Sequence, residues 1–160
     1  MVFLGWFLLG AARSEESSGL IRQALDHVSV ADVMTPNPIL VPDYITVDEL
    51  VKRFLFADRH TTFPIHDFGG NLTGLVTLAG IKRVPADRRA TVRIRDIFCP
   101  LPQVATAAPD DSLVSLLGRL GGCSEGRALV LQDGKLVGIV SPSDVSRAVQ
   151  RSSAGRAQPA

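Results

Sequence analysis

Four residues near the C-terminal end, Ser141-Pro-Ser-Asp144, have types and spacing that can build a binding site. Pro142 suits a first helical position, where its missing N–H costs nothing, and Ser141 suits the cap before it. The free amides at such a helix start favour a polar or anionic group. Asp144 adds a carboxylate able to accept ligand hydroxyls, a charge-assisted contact of roughly 1.5 to 3 kcal/mol. The same Ser-x-x-Asp spacing also makes a capping box, in which both side chains satisfy only their own local backbone. The preceding Gly138-Ile-Val supplies a glycine and a short apolar strand against which a flat ring can lie.

Other chemistries find no support. None of His27, His60 and His66 opens an HExxH motif. His60 reads as a solvated residue of a polar loop, and His66 as a strand residue at a hairpin entrance. Cys99 and Cys123 form no CxxC pair and have no metal-ligand spacing to the histidines, so neither a disulfide framework nor a zinc finger is expected, and the usage suits a reducing compartment. No nucleophile–base pair, paired-carboxylate motif or Walker glycine loop is visible, so no catalytic residue is assigned. Seventeen Lys and Arg against sixteen Asp and Glu give a net charge of +1, which leaves no excess with which to neutralise a row of phosphates on a nucleic acid. With 46% hydrophobic and 21% charged residues, the composition is that of an ordinary globular chain.

The elements that must position Asp144 come from an internal repeat. Gly74-Leu-Val-Thr-Leu-Ala-Gly80 matches Gly138-Ile-Val-Ser-Pro-Ser-Asp144 at a separation of 64 residues, and Val30-Ala-Asp-Val-Met-Thr-Pro36 matches Ile94-Arg-Asp-Ile-Phe-Cys-Pro100 at the same offset. Each copy reads as a strand, a helix, two strands and a second helix. In the first, Ile39 to Val41 is a strand and Thr46 to Arg59 a helix, with Val47, Leu50, Val51, Phe54 and Leu55 at 3.6-residue periodicity. Phe63 to His66 and Thr73 to Val76 flank the hairpin loop Phe68-Gly-Gly-Asn71. In the second, Leu113 to Leu120 is a helix, and Ala128 to Leu131 and Leu136 to Val140 flank the turn pair Asp133-Gly134. Neither copy closes a core alone, since ~60 residues bury too little surface. The expected fold is therefore α/β (α+β), two βαββα repeats at 30–93 and 94–150 packed about a pseudo-twofold axis with their sheets face to face, preceded by an N-terminal helix. Between them, Lys82 to Arg95 is rich in Arg and reads as a solvated linker or a docking patch for an acidic surface or phosphate.

The ends differ from the middle. Residues 1–13 are almost wholly apolar, but Met1 to Ala12 as a helix reach only about 18 Å against a ~30 Å hydrocarbon core. A signal peptide, a buried element and the end of a longer transmembrane helix compete here. Trp6 at an interface, Arg13 beyond it and the polar Ser14 to Ser18 favour the last, which would leave the following residues cytoplasmic. Residues 14–29 read as an amphipathic linker helix and 151–160 as a disordered tail.

With DVMTP at the start of one unit and GIVSPSD near the end of the other, residues from about Val30 to Gln150 resemble a tandem pair of CBS domains, a Bateman module. Such pairs are regulatory, commonly bind AMP, ADP, ATP or S-adenosylmethionine between the repeats, and commonly dimerise. The resemblance implies no obligatory cofactor, no metal and no catalysis. It implies that Asp144 accepts both ribose hydroxyls and that Thr35, Pro38, Ile39, Thr61, Thr62, Pro64, Ile139 and Ser141 complete the cleft, along a wall that also includes Pro36, Asn37, His60 and Phe63. Arg127 sits in the second copy's corresponding loop, facing either a phosphate or solvent. In the first copy Gly80 stands where the aspartate would be, so one competent site per chain is expected. The N-terminal quarter, with Gly5-Trp-Phe-Leu-Leu-Gly-Ala-Ala-Arg13 leading through Leu20 to Leu25, resembles the junction between the last membrane helix and the CBS tail of site-2 protease family zinc metalloproteases. That implies a regulatory role beside a membrane protease domain, at the inner face of the cell membrane. The alternative is a ligand-free structural or dimerisation module of such a protease.

Overall fold

Apolar and turn residues alternate in the pattern that two hairpins need, and the computed structural model, which describes residues 25–55 and 60–157, contains both. In the first repeat β3 (Thr62–His66) turns back into β4 (Leu72–Thr77); in the second, β7 (Ala128–Gln132) turns through Asp133 and Gly134, both at positive φ, into β8 (Lys135–Val140). Each hairpin gains a parallel neighbour from its own repeat, β2 (Val41–Pro42) beside β3 and β6 (Ala105–Ala107) beside β7. The two four-stranded sheets are completed by an exchange. β1 (Thr35–Pro36) of the first repeat pairs with β8, and β5 (Cys99–Pro100) of the second pairs with β4.

The exchange obeys the repeat. Thr35 lies opposite Ile139 and Pro36 opposite Gly138; Cys99 lies opposite Leu75 and Pro100 opposite Gly74. Both pairings map onto each other at the 64-residue offset. They also explain why each copy of the motif carries a glycine. A Cβ at Gly74 would overlap the Cys99 carbonyl oxygen, and one at Gly138 would fall 3.1 Å from the Thr35 carbonyl oxygen and against Met34. Only glycine admits the crossing strand.

Side chains alternate across the sheets. Phe63, Ile65 and Val76 face the helical side of the first sheet with Val47, Leu50 and Ile81, while Ala128, Val130 and Val140 do the same in the second with Val30 and Leu116. The opposite faces meet: Leu75 and Cys99 from one sheet pack with Leu129 and Ile139 from the other. This is the expected face-to-face arrangement, with period-two alternation deciding which residues reach which core.

The helices are α1 (Val30–Val33), α2 (Val47–Leu50), α3 (Leu78–Lys82), α4 (Leu113–Leu117) and α5 (Pro142–Ala157). Thr46 opens α2 with a reciprocal capping box to Glu49, and α2 passes into a wider π-type turn over Val51–Leu55. The expected end of that helix near Arg59 lies outside the described residues, as do the apolar segment 1–13 and most of the linker helix 14–29.

Three expectations are corrected. α4 stops at Leu117 before Gly118, short of Leu120, because glycine is a poor helix former. The tail expected from Arg151 is instead a continuation of α5 to Ala157. Cys99 and Cys123, for which no disulfide was expected, are bonded across a Cα separation of 5.6 Å, within the ~4.4–6.8 Å that such a bridge needs. Sequence spacing carried no sign of this pairing, because the exchange of β5 brings Cys99 beside a loop 24 residues later.

Candidate ligand cleft

Asp144 lies in the first turn of α5, one turn beyond Ser141, and is buried. One carboxylate oxygen, Oδ2, accepts from the Ser141 backbone N–H and hydroxyl, both at 2.9 Å, and the Ser141 hydroxyl in turn lies 3.4 Å from the Asp144 N–H. This is the capping box. The other oxygen, Oδ1, accepts from Thr35 Oγ1 of β1 at 3.3 Å and from the guanidinium of Arg147, one turn along the same helix, at 2.6 Å. The carboxylate thus caps its own helix, as the capping-box reading expects, and ties that helix to a strand of the other repeat.

Beside this carboxylate lies a cleft of about 270 Å³. Thr35, Pro38, Ile39, Thr61 and Thr62 of the first repeat and Ile139, Ser141 and Asp144 of the second all line it. Of the residues assigned from sequence, Pro64 is the exception. It lies within β3 opposite Leu75 and is buried in the sheet, two residues beyond the strand end that reaches the cleft. His60 lines the cleft; Pro36, Asn37 and Phe63 do not. Asn37 adopts positive φ, which asparagine tolerates, as the chain turns from β1 toward Pro38 and Ile39.

Two further residues belong to the lining, Ser143 and Arg147. Among the described residues that line the cleft, Arg147 is the one guanidinium and Asp144 the one carboxylate. The arginine was legible as the residue one helical turn beyond Asp144, but its pairing depends on the carboxylate pointing outward. Together with Thr35 the pair also lines a neighbouring cavity of about 430 Å³ between α1, β1 and α5. The hydroxyl of Thr62 is buried without a hydrogen-bond partner among the described residues. Such an orphan costs roughly 1 to 3 kcal/mol and is uncommon in folded proteins.

The equivalent place in the first repeat differs. Thr77 caps α3 by accepting from the Gly80 N–H at 3.1 Å, but Gly80 provides no carboxylate. Arg83, equivalent to Arg147, pairs instead with Glu125 at 3.1 Å. Among the described residues no cluster of three or more His, Cys, Asp or Glu side chains could hold a metal ion.

A repeat whose first strands are exchanged, with a cleft at the junction, matches a known family model over both copies. The model is the CBS domain, and it matches residues 30–87 and 94–151. The chain belongs to the CBS-domain family. Relatives of this CBS pair include the candidate zinc metalloprotease Rip3 of Mycobacterium tuberculosis, 40% identical over 150 residues, 93% of this chain and 38% of Rip3. Zinc metalloprotease MJ0392 of Methanocaldococcus jannaschii is 24% identical over 93% of this chain and 40% of its own length. The chain therefore spans about two-fifths of these relatives, and it aligns as their CBS part. Among solved structures, the CBS domain of a bacterial CNNM/CorC family Mg2+ transporter in complex with ATP superposes with a TM-score of 0.68 at 18% identity, covering 86% of this chain and 97% of that one. The CBS domain of a membrane protein from Sphaerobacter thermophilus gives 0.62 at 24% identity, over 86% and 97%. These likenesses establish the CBS-pair fold. A CBS pair is a regulatory fold rather than a catalytic one.

Proposed function

We propose that this CBS pair binds one adenosine-containing ligand, AMP, ADP, ATP or S-adenosylmethionine, in the cleft at Asp144, and thereby controls a site-2-type membrane metalloprotease. The observation that carries the reading is the juxtaposition of a buried, outward-pointing carboxylate and the orphan Thr62 hydroxyl on opposite walls of one cleft, the walls belonging to different repeats. Ile39, Ile139 and Pro38 offer apolar faces for a purine, and Asp144 Oδ1 can exchange Thr35 and Arg147 for two ribose hydroxyls. A ligand held this way bridges the repeats, so its binding energy favours the arrangement in which the cleft is closed. The relatives named as metalloproteases and the ATP complex of a CBS neighbour support the partner and the ligand class.

The assembly is a homodimer tethered at the cytoplasmic face of a membrane. The apolar groove between α4 and α5, lined by Leu117, Leu120, Val145 and Val149, suits a second copy; light scattering should give twice the monomer mass. No helix among the described residues is long and apolar enough to cross a membrane, so tethering rests on residues 1–13 or on the protease.

The test is a thermal-shift and calorimetric panel of AMP, ADP, ATP, S-adenosylmethionine and GTP on the wild type and Asp144→Asn. At 100 times its dissociation constant a ligand adds about 2.7 kcal/mol of apparent stability. A shift with an adenosine compound that Asp144→Asn removes is expected. If no compound shifts the protein at millimolar concentration, the second reading stands, a ligand-free structural module. It is favoured by the fact that Asp144 already has protein partners on both oxygens.

A further inference from the structure

The segment that joins the repeats, residues 82–96, carries charge out of proportion to its length. Of the 17 Lys and Arg in the chain six fall here, Lys82, Arg83, Arg88, Arg89, Arg93 and Arg95, against only Asp87 and Asp96 of the 16 Asp and Glu. A chain with a net charge of +1 is therefore polarised, basic in this stretch and acidic on balance elsewhere. Nor is the stretch a loose linker. Val84 and Ile94 are buried, and Val92 packs against the first core. The backbone N–H groups of Val47 and Asp48 donate to the Val92 and Arg89 carbonyls at 2.9 Å, and those of Ile94 and Arg95 donate to the Ile45 and Asp43 carbonyls at 3.0 Å. The backbone that bears these cations is thus fixed against the first repeat.

Lys82, Arg88, Arg93 and Arg95 are exposed. The ion pairs among the described residues engage none of them, using Lys52, Arg83, Arg127 and Arg147 instead. Nearby carboxylates are already engaged: Asp67 accepts from the Asn71 backbone and side chain, and Asp48 pairs with Lys52. Beside the cations stands an aromatic pair. Tyr44, flanked by the two residues whose carbonyls hold Arg95 and Ile94, stacks on Phe68 with ring centroids 4.3 Å apart. Phe68, in the turn of the first hairpin, is 83% exposed, the most exposed large apolar side chain among the described residues. Phosphate headgroups would satisfy the cations while the hydrocarbon boundary received Phe68, so an anionic lipid surface accounts for both features at once. None of the four free cations lines the cavities beside Asp144, so this face is separate from the adenosine cleft.

We propose that Lys82, Arg88, Arg93 and Arg95, with Phe68 beside them, form a docking face for an anionic phospholipid surface. Each Lys or Arg held at such a surface is worth about fivefold in partitioning. Because hydrogen bonds and buried valine and isoleucine side chains already fix the segment, docking orders little backbone, and the cost of binding falls mainly on the exposed side chains. The face orients the first repeat at a membrane whether or not residues 1–13 insert, and it rests on neither the ligand nor the dimer proposed above.

The experiment is co-sedimentation of the full chain with vesicles of phosphatidylcholine alone and of equal parts phosphatidylcholine and phosphatidylglycerol. Insertion of the apolar residues 1–13 contributes to both, so the ratio reads the basic face. A preference of about tenfold or more for the anionic vesicles is expected. It should collapse when salt is raised from about 0.1 M to about 1 M, which shortens the screening length from about 10 Å to about 3 Å. Combined Arg88→Glu, Arg93→Glu and Arg95→Glu should abolish the preference, and Phe68→Ala should weaken binding to the anionic vesicles about threefold or more. Equal binding to the two lipids overturns the proposal, as does a preference that survives the three charge reversals or full affinity in Phe68→Ala. Release from the vesicles by millimolar inorganic phosphate at fixed ionic strength also overturns it, since the face would then be a site for a free anion. The salt series uses the unsubstituted protein, so the test stands even if a variant folds poorly.

Discussion

Replacing Thr62 by Val should move stability and ligand affinity in opposite directions. The Thr62 residue is 8% exposed and its hydroxyl has no partner among the described residues, so the folded, ligand-free protein bears an uncompensated desolvation cost. That cost is roughly 1 to 3 kcal/mol for a fully buried polar group. Valine keeps the branched shape, suits a strand at least as well and orphans no other group. A gain of about 1 kcal/mol is expected, which for a chain of this size raises Tm by about 2 to 4 °C. If the hydroxyl is kept to bind ligand, the same change removes one hydrogen bond of ~0.5 to 1.5 kcal/mol, a rise in Kd of about 2- to 13-fold. Calorimetric unfolding without ligand gives the first quantity, and titration with whichever adenosine compound binds tightest gives the second. A fall in Tm would refute the claim that the hydroxyl is uncompensated, and an unchanged Kd would refute its role in the cleft.

The glycines of the two repeats should respond differently to alanine. Gly74→Ala places a Cβ on the Cys99 carbonyl oxygen and should destabilise by about 1 to 3 kcal/mol, seen in urea unfolding; an unchanged midpoint would mean that β5 does not cross there. Gly80→Ala meets nothing closer than the Thr77 hydroxyl at 3.4 Å and should stabilise α3 by roughly 0.5 to 1 kcal/mol in the same assay, a loss of stability counting against the helical assignment. In the first hairpin the Asn71 backbone N–H donates to Asp67 at 2.9 Å, and this bond, with one from the Asn71 side chain, holds the Asp67 carboxyl below the ordinary aspartate range. Because the folded value is the lower one, its contribution to stability is present above the unfolded value and is lost as pH falls through the folded one. Carboxyl NMR titration should place its midpoint below that of a free aspartate, and a midpoint at or above it would contradict the turn geometry.

Local rules made much of this protein legible. The 64-residue repeat, the two hairpins and the Ser141-Pro142 helix start depend on neighbours a few residues apart, so residue types announce them. The same holds for the capping boxes at Thr46 and Ser141. The lining of the cleft was traceable through the resemblance to CBS pairs, which implied that Thr35, Thr61 and Thr62 share a cleft with Asp144. Pro64 was misplaced because a strand's buried stretch and its cleft-facing end look alike in sequence.

What the tertiary structure alone decided lies where the strands are too short to show periodicity. Thr35–Pro36 and Cys99–Pro100 are two residues each, and nothing local says which sheet they join. Their exchange brings Cys99 to Cys123, sets the Gly74 and Gly138 crossings, and aims Thr35 at Asp144. It also determines which polar groups find partners: Arg147 meets a carboxylate on its own helix, Arg83 has to borrow Glu125, and the Thr62 hydroxyl meets none among the described residues. Sequence determines which groups are present and how each short segment bends, whereas the satisfaction of a buried hydroxyl or guanidinium depends on atoms brought in from far along the chain, and these are placed only when the sheets pack.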